Sequence, residues 1–197
     1  MSLTYVIPDI HGRYDLLRDA LAAITAYSGG EAGTIVTIGD YVDKGPASRG
    51  VIDQLMFGPG DGFALVTLKG NHDAMMTGAL RDHSKMADWL DRLQLFRTDA
   101  HRLYVHAGVE DGTPLDQQRE ETLLWKRYPK GFPGGYGNFH VVHGHDNCPD
   151  GPLLYEGRTN LDTLAWKTGR LTIGIFDDDR AGGPVDFIII KGEPARR

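Results

Sequence analysis

The chain has 197 residues, 41% hydrophobic and 24% charged, with a formal net charge of −6. That is enough for one well-filled core and too little for two comfortable domains, so a single domain over residues 1–192 with a flexible tail at 193–197 is expected. The mild acidity argues against a general polyanion-binding surface: no stable nucleic-acid binding is expected, and any phosphate site has to be locally basic. No apolar stretch approaches the ~20 residues that span a bilayer, and the N-terminus lacks a basic segment followed by an apolar one, which points to a cytoplasmic location away from membranes. Cys148 is the only cysteine. It can form no intrachain disulfide and reads as an inert thiol, which suits a reducing compartment.

Leu3 to Ile7 reads as a first strand, after which Pro8 withholds a donor where the chain must leave the ladder and present Asp9 and His11. Tyr14, Leu17, Leu21 and Ile24 recur at helical spacing and predict a helix to about Ala26, ended by Ser28-Gly29-Gly30. Thr34 to Ile38 is a second strand. Gly45-Pro46 leads into a helix with Val51, Ile52, Leu55 and Met56 on its apolar face, closed by Gly58-Pro59-Gly60. Phe63 to Leu68 is a third strand. From Asp73 to about Gln94 the pattern is helical, with Met75, Met76, Leu80, Met86, Trp89, Leu90 and Leu93 as packing residues. The second half is strand-rich: Leu103 to His106, Phe139 to His143, Arg158 to Leu161, Leu171 to Phe176 and Val185 to Ile190. Strands alternating with helices, then strands in succession, predict an α/β chain of α+β type: an αββα four-layer sandwich of two mixed sheets flanked by helices. Gly131 to Gly137 is a loop, either a substrate-facing lid or a plain connection. Asp177-Asp178-Asp179 reads as a solvated hairpin turn.

Five short polar motifs follow these apolar runs: Asp9-Ile10-His11-Gly12, Gly39-Asp40-Tyr41-Val42-Asp43-Lys44-Gly45-Pro46, Gly70-Asn71-His72-Asp73, His106-Ala107-Gly108 and His143-Gly144-His145. Asp9 and His11 are two apart, so in an extended segment both side chains leave one face and can share a cation. Asp40, Asn71, His106 and His145 add ligand-type groups at later strand ends, where open α/β sheets put their sites. Mixed carboxylate, imidazole and amide ligands suit Mn²⁺, Fe or Zn²⁺ better than Ca²⁺, and no cysteine motif supports a structural zinc or an iron–sulfur cluster. Two such metals clamp the oxygens of an in-line displacement and lower the pKa of a shared water, making hydroxide the nucleophile. His72, beside Asn71, needs a carboxylate partner to remain a proton donor near neutral pH, and Asp43 is the best candidate. His143 reads as packing beneath the site; His83, His101 and His140 read as surface or core residues.

The five blocks, in this order from Asp9 to His145, resemble the calcineurin-like metallophosphoesterases, and among them the bacterial serine/threonine phosphoprotein phosphatase group, whose pattern is GD-x-HG, GD-x-x-DRG, GNH-D/E, H-G/A-G and HGH. The resemblance implies a first metal on Asp9 and His11, a bridging Asp40, and a second metal adding Asn71, His106 and His145. It also implies His72 as the acid that protonates the leaving group, oriented by Asp43. Lys44 and Lys69 stand where that group usually or often has arginine, and lysine supplies charge without a two-pronged donor. Arg127, in Leu123-Leu124-Trp125-Lys126-Arg127, resembles the group's L-L-W-x-R segment and is the candidate for the remaining phosphate clamp with Lys44 and Asn71; Trp125 is expected to pack. The segment from Asp73 to His106 is shorter than in bacterial relatives, which predicts a reduced cap. Asp162-Thr163-Leu164-Ala165 replaces a usual D-T-G-A, a change expected to alter a local turn without touching a ligand.

The function expected is therefore metal-dependent hydrolysis of a phosphorylated protein or small phosphoester with two divalent ions, most plausibly Mn²⁺. A symmetrical dinucleoside tetraphosphate hydrolase is the alternative; relatives of that kind usually lack an acid at the position of Asp43. A non-catalytic scaffold of the same fold should have lost ligands, and none is missing.

Overall fold

The computed structural model describes residues 2–60, 62–79 and 85–195. One five-stranded sheet runs in the order β10-β9-β1-β2-β3, built from β1 (Leu3–Ile7), β2 (Gly33–Thr37), β3 (Phe63–Thr67), β9 (Arg170–Asp177) and β10 (Asp186–Lys191). β1, β2 and β3 are parallel, while β9 and β10 run antiparallel to their neighbours. The second sheet has the order β4-β5-β6-β8-β7, from β4 (Phe96–Thr98), β5 (Arg102–Val105), β6 (His140–His143), β7 (Leu153–Leu154) and β8 (Arg158–Asn160). Its three central strands are parallel and its two edges antiparallel.

The pleat divides the apolar residues between layers. Tyr5, Ile7 and Ile35 face the helices on one side of the first sheet, whereas Val6 and Val36 join Tyr104, Val142, Leu161 and Phe176 in the layer between the sheets. Leu103, Val105 and Val141 point the other way, toward Leu123. Each buried side chain of this size contributes roughly 1.5–3 kcal/mol of transfer free energy, which makes the intersheet layer the glue of the sandwich. The outer layers are α1 (Tyr14–Ser28) and α2 (Ser48–Phe57) on the first sheet and the short α5 (Glu120–Trp125) on the second. The four-layer αββα arrangement expected from the alternation of elements is the one observed.

Several details depart from the sequence pattern. The predicted helix over 73–94 is two shorter ones, α3 (Asn71–Ala79) and α4 (Lys85–Asp91); Leu80 and His83 lie outside the described residues. Met75 is exposed, whereas Met76, Met86, Trp89, Leu90 and Leu93 do pack on the core. Met56 is also exposed, because α2 is amphipathic through Val51, Ile52 and Leu55 alone. Asp177 is buried at the end of β9 and accepts the Asp179 N–H at 3.0 Å, so only the rest of that acidic turn is solvated. α5, β4, β7 and α6 (Ala165–Thr168) are each too short to leave a periodic signal. In the segment expected as a tail, Ala195 donates its N–H to the Lys167 carbonyl at 3.1 Å, so residues 193–195 run along α6.

Parallel β1, β2 and β3 deliver Asp9, Asp40 and Asn71 at one end of the first sheet, and parallel β5 and β6 deliver His106 and His145 at the same end of the second. Asp73 locks two of these exits together. Its fully buried carboxylate accepts the N–H groups of Asp40 (2.8 Å), Tyr41 (3.0 Å) and Gly70 (2.9 Å). An unpartnered buried donor costs about 1–3 kcal/mol. We expect Asp73→Ala, which orphans three, to lower unfolding free energy by about 2–4 kcal/mol in urea titrations. A change within about 0.5 kcal/mol would show that water satisfies these donors without the carboxylate.

Candidate active site

The site is built almost entirely from residues that leave strands. His11 Nδ1 lies 2.8 Å from the Val42 carbonyl and His106 Nδ1 lies 2.9 Å from the Ile38 carbonyl. A carbonyl can only accept, so each Nδ1 carries the proton and each neutral ring turns a bare Nε2 inward. Burial holds both rings neutral: it lowers the His11 pKa to about 4 and drives that of His106 well below its ordinary value. The two Nε2 atoms address opposite oxygens of one carboxylate, His11 at 3.3 Å from Asp40 Oδ2 and His106 at 3.6 Å from Asp40 Oδ1. Asn71 Oδ1 completes the second side, 2.8 Å from His106 Nε2 and 3.1 Å from His145 Nδ1.

Lone pairs converging from imidazole, amide and carboxylate groups suit a cation between them. The buried acids say the same. Asp9 and Asp40 are nearly inaccessible, and burial followed by mutual repulsion with neighbouring carboxylates raises both pKa values well above the ordinary range. Donor atoms of Asp9, Asp40 and His106 lie within 4.8 Å of one another, as do those of His11, Asp40 and His72. The donor set therefore fits divalent cations, with Asp40 offering one oxygen to each side.

Close approach explains two glycines of the motifs. A Cβ on Gly70 would sit 2.2 Å from Asp40 Oδ1, and one on Gly144 would sit 2.0 Å from Asp9 Oδ2. Either would occupy the space of a ligand oxygen. The His145 N–H in turn reaches both Asp9 oxygens at 3.2 Å. Backbone strain is concentrated here as well. Among the described residues, the non-glycine positions with positive φ are His11, Asp40, Asp43, Lys44, His145 and Leu164, and each of these lines the cavity or holds a residue that does. Such conformations cost on the order of 1–3 kcal/mol each and persist where the surroundings over-determine them.

The predicted site residues come together in a cavity of about 210 Å³ lined by Asp9, His11, Asp40, Lys44, Asn71, His72, Arg127 and His145. His106 is fully buried beneath it. His72 Nδ1 contacts Asp43 Oδ2 at 2.7 Å, the pairing expected from sequence. Arg127 reaches the cavity although its side chain is 60% exposed and lies 3.4 Å from Asp146 Oδ1. Lys69 does not reach it: its Nζ donates to the Asp91 carbonyl at 3.1 Å, so the lysine here is a structural tie. His143 packs beneath the site as expected, with Nε2 accepting from Arg158 at 3.0 Å.

The cavity wall differs from the sequence reading at two points. Trp125 does not pack away; it is 46% exposed and forms part of the rim, edge-on to the His145 ring at 6.0 Å. Leu164, in the turn expected to change without touching a ligand, lines the cavity in a left-handed conformation. Asp162 fixes that turn by accepting the Leu164 N–H at 2.7 Å, and its own buried carboxylate, with a pKa raised to about 6, adds to the charge facing Asp9. Trp166 and Asn147 also line the cavity. They sit outside every motif block, and periodicity carried no signal for them.

Two stacked mixed sheets with a buried carboxylate, imidazole and amide nest at their shared end define a metal-dependent hydrolase. The chain belongs to the calcineurin-like phosphoesterase family, whose profile matches residues 3–176. It is 34% identical to serine/threonine-protein phosphatase 2 of Escherichia coli (strain K12) over 190 residues, covering 94% of this chain and 77% of that one. It is 28% identical over 167 residues to the symmetrical bis(5'-nucleosyl)-tetraphosphatase of Nitrosomonas europaea, covering 73% of this chain and 60% of that one. A crystal structure provisionally named a diadenosine tetraphosphatase superposes with a TM-score of 0.75 at 26% identity, over 97% of this chain and 94% of the other. The protein is thus a metallophosphoesterase. Among the described residues no helix is long and apolar enough to cross a membrane.

Asp40 gives a sharp test of the cation fit. In chelator-treated protein, Asp40→Asn removes a buried charge and should raise the melting temperature by roughly 2–4 °C per kcal/mol of relieved repulsion. The same variant should lose the thermal upshift that Mn²⁺ or Zn²⁺ gives the unsubstituted protein. An undiminished metal-induced shift in Asp40→Asn would remove Asp40 from the ligand set.

Proposed function

We propose that the protein is a phosphomonoesterase of the serine/threonine phosphatase type, with His72 as general acid and Asp43 as the residue that orients it. The observation that carries this reading is the 2.7 Å contact between His72 Nδ1 and Asp43 Oδ2. The carboxylate fixes the ring through Nδ1, and Nε2 is left as the atom that would hand over a proton. The His72 N–H also donates to Asp40 Oδ1 at 2.9 Å, which couples the acid to the centre of the site.

Asp9, His11 and Asp40 would hold one divalent cation, and Asp40, Asn71, His106 and His145 a second; Mn²⁺ suits the set best, with Fe or Zn²⁺ as alternatives. When bound, the pair supplies an activated water and neutralises charge on the phosphoryl oxygens. The remaining roles fall to side chains at the rim. Lys44 and Arg127 concentrate positive charge where an otherwise acidic protein must dock an anion, with Asn71 in the wall of the same cavity. Trp125 and Trp166 narrow the mouth and limit access of water.

Symmetrical hydrolysis of dinucleoside tetraphosphates is the second reading, favoured by the 0.75 TM-score superposition on the structure provisionally named for that activity. Asp43 weighs against it. A panel of phosphopeptides, nucleotides, diadenosine tetraphosphate and bis-aryl phosphodiesters on metal-loaded protein separates the two, and a dominant dinucleotide signal would reverse the order.

Proton donation is worth roughly 10²–10⁴ in rate when the leaving group is poor. An activated aryl phosphate departs with little help. His72→Asn should therefore lose far more kcat on phosphoserine peptides than on p-nitrophenyl phosphate, and Asp43→Asn should show a weaker version of the same pattern. Equal losses on both substrates, with metal still bound, would make His72 an electrostatic or positioning residue instead. Lys44→Ala and Arg127→Ala should mainly raise KM and weaken inhibition by free phosphate. Unchanged phosphate inhibition in both would assign the two cations to surface solvation.

A further inference from the structure

The cavity that holds the candidate ligands is too small for a whole substrate. Its volume of about 210 Å³ falls below the ~300–1,000 Å³ typical of small-molecule sites. Beside it lies a second cavity of about 450 Å³, over the start of α1, lined by Tyr14, Arg18, Lys44, Pro46, Trp166 and the chain at 193–195. Lys44 and Trp166 belong to both. They stand at the boundary together, with Lys44 Nζ 6.0 Å from the centre of the Trp166 ring.

The second cavity is lined by residues next in the chain to the neighbours of the proposed acid. Lys44 follows Asp43, the partner of His72, and Gly12, which lines the second cavity, follows His11, whose ring meets that of His72 edge-on at 4.8 Å. A general acid has to stand beside the leaving-group oxygen, so the leaving group must extend from the His72 side of the phosphoryl group. Its next available space is the larger cavity. There it meets the aromatic side chains of Tyr14 and Trp166, both half-buried, together with Lys44 and the exposed Arg18, which pairs with Asp19 at 2.8 Å. Arg13 is not free to help, since it is held by Asp15 (2.6 Å) and the Ala165 carbonyl (3.2 Å).

We propose that this second cavity is the leaving-group subsite, that it takes a flat aromatic ring joined to the phosphoryl group by a short linker, and that Trp166 and Tyr14 set this preference. The inference rests on the reading of His72 as the acid. A small alkyl leaving group leaves the subsite empty, whereas a nucleoside or a phenolic ring fills it. Among small phosphoesters without a peptide chain, the specificity expected is for ring-bearing ones over simple alkyl ones, independent of how readily the leaving group departs.

Non-hydrolysable phosphonates separate binding from chemistry. Ethylphosphonate, benzylphosphonate and a phosphonate analogue of AMP are titrated calorimetrically into Mn²⁺-loaded protein. At least one ring-bearing ligand should bind about tenfold tighter than ethylphosphonate, the size of one aromatic stacking contact. Trp166→Ala should erase that advantage and Trp166→Phe should keep most of it; Tyr14→Ala, which touches only the second cavity, serves if Trp166→Ala fails to fold by circular dichroism. A larger gain for the AMP analogue than for benzylphosphonate identifies a nucleoside as the ring, and the reverse order a phenolic one. Equal affinities for all three ligands, or an advantage retained in both alanine variants, would overturn the subsite. Failure of every phosphonate to bind, together with no hydrolysis of p-nitrophenyl phosphate, would instead strike at the phosphoryl site itself.

Discussion

The concentration of carboxylates at one buried end of the sandwich is the constraint on which the rest of this structure depends. Asp9, Asp40, Asp73 and Asp162 are all nearly inaccessible, and burial raises the pKa of each. Like charges in a low-dielectric region repel strongly, and such an arrangement is stable only if hydrogen bonds or cations compensate it. Two of the four are compensated by the backbone. Asp73 gathers three N–H groups from the loops after β2 and β3, and Asp162 caps the turn at Leu164. Asp9 and Asp40 each receive one backbone N–H, from His145 and His72, and otherwise face imidazoles whose protons are committed to carbonyls, so they are the two whose charge a cation would balance. The same residues that weaken the fold make the site.

The strain follows from that arrangement. A ligand side chain must turn inward within one or two residues of a strand end, and His11, Asp40 and His145 do so by adopting positive φ. The turns are held by what surrounds them: the His11 and Gly12 N–H groups donate to the Asp40 and Tyr41 carbonyls at 2.8 Å each, and Gly144 donates to the His106 carbonyl at 2.9 Å. Each loop is thereby braced by the next. The two sheets are coupled through their functional loops as well as through the apolar layer between them.

The rim shows a different logic. Its floor is polar and fixed, while its walls, Trp125, Trp166 and Leu164, are apolar and partly exposed. Excluding water from the mouth strengthens the electrostatics inside. Lys44 ties the two zones together, because it belongs to the second motif and its charge lies 6.0 Å from the centre of an indole outside any motif. The residues that line the cavity are thus shared between a braced polar floor and a partly exposed rim.

Eight of the ten described strands, the αββα layering and the gathering of Asp9, His11, Asp40, Asn71, His106 and His145 at one end were legible in the sequence, because strand ends with Asp, His and Asn after β-branched runs carry a local signal. His72 and Asp43 were legible for the same reason, each lying inside a motif block. The division of the 73–94 region into two helices, the short α5 and α6, and the exposure of Met75 were not, since short elements give no period to read. Only the tertiary structure decided what lies opposite the ligands. Trp125, Leu164 and Trp166 come to the cavity through packing between segments distant in the chain, and Lys69 is drawn away from it by the Asp91 carbonyl. Local chemistry writes which residues bind a cation; long-range packing, which leaves no spacing in the sequence, shapes the space in which a substrate must fit.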